Sequence, residues 1–352
     1  MAWKHRLKQS LRSAYSGAVY HTGLWRVFHR IMRRRMVILA GHCVGPAPGL
    51  PRDMTLSPRR LEEIIAALSA GFVWRTVGQG AVDLRQNSRG PSFAALTFDD
   101  GYRDNFEVLL PILERTGAQA TVFLEGRPLR EQRVSWSHQF FALVHRHGQD
   151  PGEIARQLAQ VPGMPHEKLF AAAETDKREY QVKRVLKYEC DAAVRDRALQ
   201  ALFERHGGDE AALCASLYMT PAMAQELAAR GVELGGHSDR HEVLSTLSPE
   251  ACLADLLAGR AAMAEVLPEP LSDTFAYPYG RRWDWNTASQ QAVLQAGYSL
   301  ALTTHPGVYE GRGDSLAVGR VMIDEHTPIA HIVCEACGAY QFLRRLGLEL
   351  AE

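Results

Sequence analysis

Two stretches of this chain carry side chains fit for hydrolytic chemistry. In Leu96-Thr97-Phe98-Asp99-Asp100-Gly101, an apolar run from Phe93 to Leu96 ends in two adjacent carboxylates and a glycine. Neighbouring side chains of an extended segment point to opposite faces, so one aspartate can hold a metal while the other takes a proton. An Asp-Gly pair also closes strands as a plain turn, and this stretch alone leaves both readings open. The second stretch, His237-Ser238-Asp239-Arg240-His241, places two imidazoles four residues apart behind the strand-like run Val232–Gly236. On a helical turn that spacing puts both rings on one side, where they can converge on an ion, although such pairs are also common on surfaces. Two histidines with one carboxylate leave coordination positions open for water and substrate. Set beside Asp99 and Asp100, also at a strand end, the metal reading is favoured.

The elements that must position these residues alternate. Apolar runs predict strands at 36–40, 93–96, 120–124, 232–236, 274–277, 300–303 and 316–323. Between them, Ser57-Pro58 opens a helix running to about Ala70, with serine as cap and proline in the first turn. Further helices are predicted at 105–115, 220–230, 248–266, 286–296 and 328–348. Repeated strand–helix units argue for an α/β fold, a parallel barrel or doubly wound sheet, whose strand tips are the usual place for chemistry. From about Ser137 to Arg205 the rhythm changes to helix throughout, with no strand signal. The organisation expected is a basic helical arm (1–35), a barrel made of 36–136 and 217–327, a helical insertion (137–216) and a C-terminal helix (328–352).

The formal charge of zero hides an asymmetry: the first 52 residues hold ten Lys or Arg and no acid, and the remainder carries 30 basic against 40 acidic side chains. A basic arm on an acidic body suits an anionic surface, membrane or nucleic acid. Trp3, Leu7, Leu11 and Ala14, then Leu24, Trp25, Phe28, Ile31 and Met32, recur at helical spacing among the cations. Tryptophans with a cationic face suit an interfacial helix, and a helix packed on the protein's own body is the alternative. No secretory signal pattern opens the chain and no run is long enough to span a bilayer. Six scattered cysteines fit a reducing compartment, and the single Cys334-x-x-Cys337 reads as two cysteines on one helix face rather than a zinc or redox pair.

Thr97-Phe98-Asp99-Asp100-Gly101, followed by Pro111-Ile112-Leu113, Ala120-Thr121-Val122-Phe123 and Gly126, resembles the first motif of the polysaccharide deacetylases, the nodulation-type or carbohydrate esterase 4 family. His237-Ser238-x-x-His241 is similar to the second motif. Tyr277-Pro278-Tyr279-Gly280 is similar to the third, in the form of exopolysaccharide-associated members, as is the opening Ile38-Leu39-x-x-His42-x-Val44. The resemblance covers roughly 36–130 and 217–325. It implies a distorted (β/α) barrel of about seven strands, with Asp100, His237 and His241 holding a divalent metal, most often zinc, and Asp99 as general base. It further implies that the backbone N–H of Tyr279 meets the tetrahedral oxyanion. Two features depart from the family. Where many members carry a base-orienting arginine this chain has Ala276, for which Arg320 is the substitute candidate. The last motif, a leucine and histidine two apart, has its nearest match in Leu302-Thr303-Thr304-His305, one residue too long, so His305 is the first candidate for the general acid, with His326 and His42 behind it. Tyr277, Tyr279, Trp283 and Trp285 are candidates for an apolar wall against a sugar ring.

The function these residues lead to expect is metal-dependent removal of N-acetyl groups from an acetamido sugar of a polysaccharide or lipid-linked glycan. The expected place is the cytoplasm, at the inner face of the membrane through residues 1–35, with no nucleic-acid partner. An amidohydrolase for a small non-sugar amide, or a non-catalytic glycan-binding protein, are the alternatives on the same fold.

Overall fold

Strands buried on both faces need unbroken apolar sequence, and the centre of this molecule has it. In the computed structural model, which describes residues 2–32, 34–47, 49–51, 54–86 and 89–348, the strands are β1 (Met36–Gly41), β2 (Cys43–Val44), β3 (Thr55–Leu56), β4 (Val73–Trp74), β5 (Phe93–Phe98), β6 (Ala120–Leu124), β7 (Glu233–Gly236), β8 (Thr274–Ala276), β9 (Leu300–Leu302), β10 (Val308–Tyr309) and β11 (Val321–Met322). The main sheet runs β10-β1-β5-β6-β7-β8-β9, with β4 beside β5 and β11 beside β1. Every pairing is parallel except β1 with β10. Seven strands therefore form the curled path of a distorted half-barrel, the fold that the family resemblance implies, and six of them lie where the sequence predicts strands.

The segment 318–323 closes the curl. At its start Val318 bridges Leu302 next to β9, and at its end the Ile323 N–H donates to the Ala40 carbonyl of β1. The sequence predicts one strand over 316–323. The chain instead switches partners at Gly319-Arg320, so only Val321–Met322 pairs as a strand, and Arg320 sits between the two edges. The antiparallel β10 was not expected from sequence.

Helices cover the sheet: α1 (Ala2–His21), α2 (Trp25–Ile31), α3 (Pro58–Ser69), α4 (Val77–Gln86), α5 (Leu110–Thr116), then α6 (Gly126–Glu131), α7 (Trp136–His145), α8 (Pro151–Ala159), α9 (His166–Ala173), α10 (Arg178–Tyr188), α11 (Ala192–Arg205), α12 (Glu210–Leu217) and α13 (Pro221–Ala229) between β6 and β7. After β7 come α14 (Pro249–Val266), α15 (Thr287–Gln295), α16 (Ile329–Cys337) and α17 (Ala339–Arg345). Ser57 caps α3 through the Arg60 N–H, as its Ser-Pro start predicts. The single C-terminal helix expected over 328–348 is broken at Gly338, whose φ of +85° ends α16 in a left-handed cap. Helices α7–α12 enclose a second apolar core, with Phe140, Ile154, Leu169, Leu186, Leu199 and Phe203 buried together.

The basic arm packs on the body. Val19 and Trp25 are buried in the main core, the Tyr15 hydroxyl donates to the Ala339 carbonyl (3.2 Å), and Cys334 and Cys337, both free, are buried in α16. Among the described residues no helix is long and apolar enough to cross a membrane.

Candidate metal centre

Because the strands are parallel, their C-terminal tips share one end of the sheet, which delivers His42 after β1, Asp99 and Asp100 after β5, His237 after β7, Tyr279 after β8 and His305 after β9. The backbone is strained there. Among the described residues, the non-glycine positions with left-handed φ are Asp100 (+72°), Ser238 (+66°), His241 (+57°) and Tyr279 (+61°), plus Gln132 elsewhere. Such conformations cost of order 1–3 kcal/mol each and collect where function over-determines the geometry.

The loop carrying the two histidines is held from three sides. Ser238 Oγ accepts the His241 N–H at 3.0 Å, and the Asp255 carboxylate, on α14, accepts the N–H groups of Asp239 (3.2 Å) and Arg240 (3.3 Å). Glu242 forms a buried ion pair with Arg195 of α11. Gly259 lets α14 approach this closely, since a Cβ there would meet the Ser238 carbonyl oxygen at 2.7 Å.

Asp100, His237 and His241, all buried, converge. Asp100 Oδ1 lies 3.2 Å from His237 Nε2 and 3.3 Å from His241 Nε2, yet makes no well-formed hydrogen bond. The His237 Nδ1–H donates to the Ala276 carbonyl at 2.7 Å, so the Nε2 of the neutral ring turns its lone pair to the carboxylate. Lone pairs facing one another across this distance call for a cation between them. The donors fit a zinc-like ion: ligand bonds of about 2.0–2.1 Å in tetrahedral array separate donor atoms by about 3.3 Å. The bond from Nδ1 to a carbonyl is the usual outer support of a ligating histidine. In the ion-free chain, burial opposes charge on all three groups. The two imidazoles nevertheless hold the Asp100 carboxyl well below its ordinary range, and Asp100 raises His237, while burial leaves His241 lowered.

Asp99, outside the donor set, is held in a salt bridge. Arg320 grips it in a fork, Nη1 to Oδ1 at 2.7 Å and Nη2 to Oδ2 at 2.8 Å, with both side chains buried. The guanidinium is itself fixed by the Thr303 carbonyl (3.0 Å) and the Thr97 hydroxyl (3.1 Å). Burial pushes the Asp99 carboxyl up and Arg320 more than offsets this, so the group is held ionised, below its ordinary range.

These groups open onto a cleft of about 1030 Å³ lined by both aspartates, both histidines, His42, Tyr279 and His305. His305 is exposed at its lip, and its carbonyl accepts the Arg320 N–H at 2.8 Å. His326 is exposed and is not among the cleft-lining residues. Among the described residues the Tyr279 N–H has no acceptor, and the ring packs edge-on against His241, centroids 4.6 Å apart. The aromatic wall divides: Trp283 and Tyr279 line the cleft, whereas Tyr277 and Trp285 stack on each other at 5.4 Å and belong to the barrel wall.

Two cleft residues escape sequence reasoning. Lys187 of α10 lies with its Nζ 3.3 Å from the Tyr279 ring centroid and 3.2 Å from Asp284, and burial pushes it down to about 7 against the pull of Asp284. His138 of α7 is buried between the hydroxyls of Tyr102 (2.5 Å) and Tyr218 (2.9 Å), and burial pushes it down to about 3, which keeps it neutral. Neither belongs to a recognisable motif; a lysine and a histidine at apolar-facing helix positions were the only signals.

Residues 86–168 and 193–301, more than half of the chain, match the family model described as polysaccharide deacetylase. A curated relative, YxkH of Bacillus subtilis (strain 168), bears that family's name and is 18% identical over 254 residues, 72% of this chain; the chain spans 60% of that protein's length. The Streptococcus pyogenes deacetylase PplD, solved in complex with acetate, superposes with a TM-score of 0.54 at 14% identity, covering 87% of this chain and 99% of that one. IcaB from Ammonifex degensii gives 0.53 at 17% identity, covering 86% and 97%. At these identities the two solved structures speak for the fold.

Proposed function

The chain belongs to the polysaccharide deacetylase family, and from that premise we propose that it is a metal-dependent hydrolase removing N-acetyl groups from an acetamido sugar of a polysaccharide or lipid-linked glycan. The observation that carries this reading is the meeting, at one end of the sheet, of a buried Asp100–His237–His241 donor set and an Arg320-clamped Asp99 inside a cleft large enough for sugar rings. In this reading Asp100, His237 and His241 would hold a divalent ion, which we take as zinc from its two imidazoles and carboxylate. Such an ion, when bound, lowers the pKa of water and polarises the amide carbonyl.

The chain's own residues do the rest. Asp99 accepts the proton of the attacking water, and Arg320 keeps it ionised and aimed. The Tyr279 N–H, presented by its left-handed backbone, donates to the oxygen on which charge develops. His305, carried on the turn that also fixes Arg320, is our choice to protonate the departing amine; His42 is the other cleft histidine in reach of substrate. Trp283 and Tyr279 offer the apolar faces for the sugar. Helices α7–α12, which we treat as the insertion, supply one wall of the cleft. The altered third motif and the opening strand agree with the exopolysaccharide-associated subgroup.

The test is acetate release from N-acetylglucosamine oligomers and lipid-linked acetamido sugars by metal-loaded protein, chelated protein and the Asp99→Asn variant. Release that requires both the metal and Asp99 is the expected result. No release from any acetylated glycan, with metal bound, would sink the reading.

A further inference from the structure

The cleft carries more charge than hydrolysis of a neutral acetamide requires. Lys183, Arg184 and Lys187 of α10 line it, and so do Arg281 and Arg282, just after the third motif. Among the described residues lining it, Asp99 and Asp100 are the only carboxylates. The first is neutralised by Arg320, and the second is committed to the donor set. Arg184, Arg281 and Arg282 are exposed, and among the described residues none has a carboxylate at ion-pair distance.

The two cationic groups are built to face one cleft. The buried Asp284 accepts from the Tyr188 hydroxyl (2.6 Å) and pairs with Lys187 (3.2 Å), while Trp283 Nε1 donates to the Tyr188 hydroxyl (2.9 Å). This joint fastens the end of α10 to the loop bearing Arg281 and Arg282. Residues 169–192, the internal stretch left outside the family match, contain α10, so its cations are no part of what the family likeness carries.

We propose that the substrate is an anionic glycan: the acetamido sugar sits beside a phosphate ester or a uronate carboxylate, held by Arg184 from α10 and by Arg281 and Arg282 from the loop fastened to its end. Guanidinium forks match both oxyanions, and a cleft lined by one sign of charge raises the local concentration of the opposite sign. The inference deepens the deacetylase reading and rests on it.

Its test uses the full, metal-loaded chain and three substrates: a neutral N-acetylglucosamine oligomer, an oligosaccharide alternating N-acetylglucosamine with a uronate, and a nucleoside diphosphate of N-acetylglucosamine. We expect a higher kcat/KM for a charged substrate than for the neutral one, with the advantage shrinking as salt is added. The better of the two charged substrates identifies carboxylate or phosphate as the group bound. In the double variant Arg184→Gln, Arg282→Gln the charged-to-neutral ratio of kcat/KM should fall about tenfold, from two rim charges. A neutral oligomer turned over at least as well as both charged substrates, with the ratio unmoved in the variant, overturns the proposal and leaves the deacetylase reading standing. If none of the three releases acetate, the deacetylase reading is what fails for these glycans. Calorimetric binding of the same three to the Asp99→Asn chain then decides the anion question: salt-sensitive preference for a charged ligand supports it, and equal or absent binding overturns it.

Discussion

A carboxylate that is to act as a base must be ionised and must keep a lone pair for the incoming proton, and Asp99 meets both conditions at a cost in basicity. Each of its oxygens receives one hydrogen bond from Arg320, which leaves further lone-pair positions toward the cleft. Replacing Asp99 by Asn should lower acetate release by roughly 10²–10⁴-fold, the usual worth of a general base. Metal content measured by elemental analysis should not change, because Asp99 is outside the donor set. Arg320→Met should do more than slow the reaction. It strands a buried carboxylate, so urea denaturation should report a loss of about 3–5 kcal/mol, with Arg320→Lys intermediate because it restores the charge without the fork. An Arg320→Met protein as stable as the parent would show that the pair is not a structural one. The aspartates and histidines could be read from sequence because each set is contiguous. The clamp could be suspected but not seen, since Arg320 lies 221 residues from Asp99 and only the partner switch at Gly319-Arg320 brings it inward. Side-chain direction was equally hidden: nothing in Tyr277-Pro278-Tyr279 tells which ring lines the cleft and which joins Trp285 in the wall.

Among the elements, α14 does for the histidine loop what Arg320 does for Asp99. Asp255 accepts two backbone N–H groups of that loop, and burial pushes its carboxyl from an ordinary 3.8 up to about 7, against the pull of those donors. The sign follows from proton counting. Between about 4 and about 7 the unfolded chain has released the Asp255 proton and the folded chain has kept it, so folding stability falls as pH rises through that window and levels above it. Asp255→Asn keeps one acceptor oxygen and cannot titrate, so the difference in stability between pH 5 and pH 8 should shrink in the variant, as read by denaturation midpoints. An unchanged difference would mean that Asp255 titrates normally. Strand–helix alternation, the helical stretch 137–205 and the capped start at Ser57 were all readable, because periodicity and caps are local. That α10 joins the cleft was not, because Lys187 reads as one more charge on a helix until Asp284, distant in sequence, is placed beside it.

At the scale of the molecule, the basic arm divides its apolar residues between two tasks. Trp25, Met32 and Val19 are spent on the protein's own core, which is the packed-helix alternative in the flesh. Trp3 is 71% exposed and Ile31 65%, with Leu11, Leu24 and Val27 about half exposed, while Arg26 and Arg30 are exposed near the second group. From these exposed apolar side chains flanked by cations, on a chain otherwise rich in acids, we propose that the arm rests on anionic lipid. In the function proposed above, the cation-lined cleft of the same molecule would then draw on a glycan still attached to such a surface. We therefore expect the full-length protein to co-sediment with phosphatidylglycerol vesicles and not with phosphatidylcholine vesicles. Added salt should weaken the binding, since surface attraction is screened within roughly 10 Å at 0.1 M. Trp3→Ser with Ile31→Ser should reduce it while leaving the melting temperature alone, because both side chains are outside the core. Binding that ignores lipid charge, or that survives loss of both exposed side chains, would assign the arm to packing against the body alone.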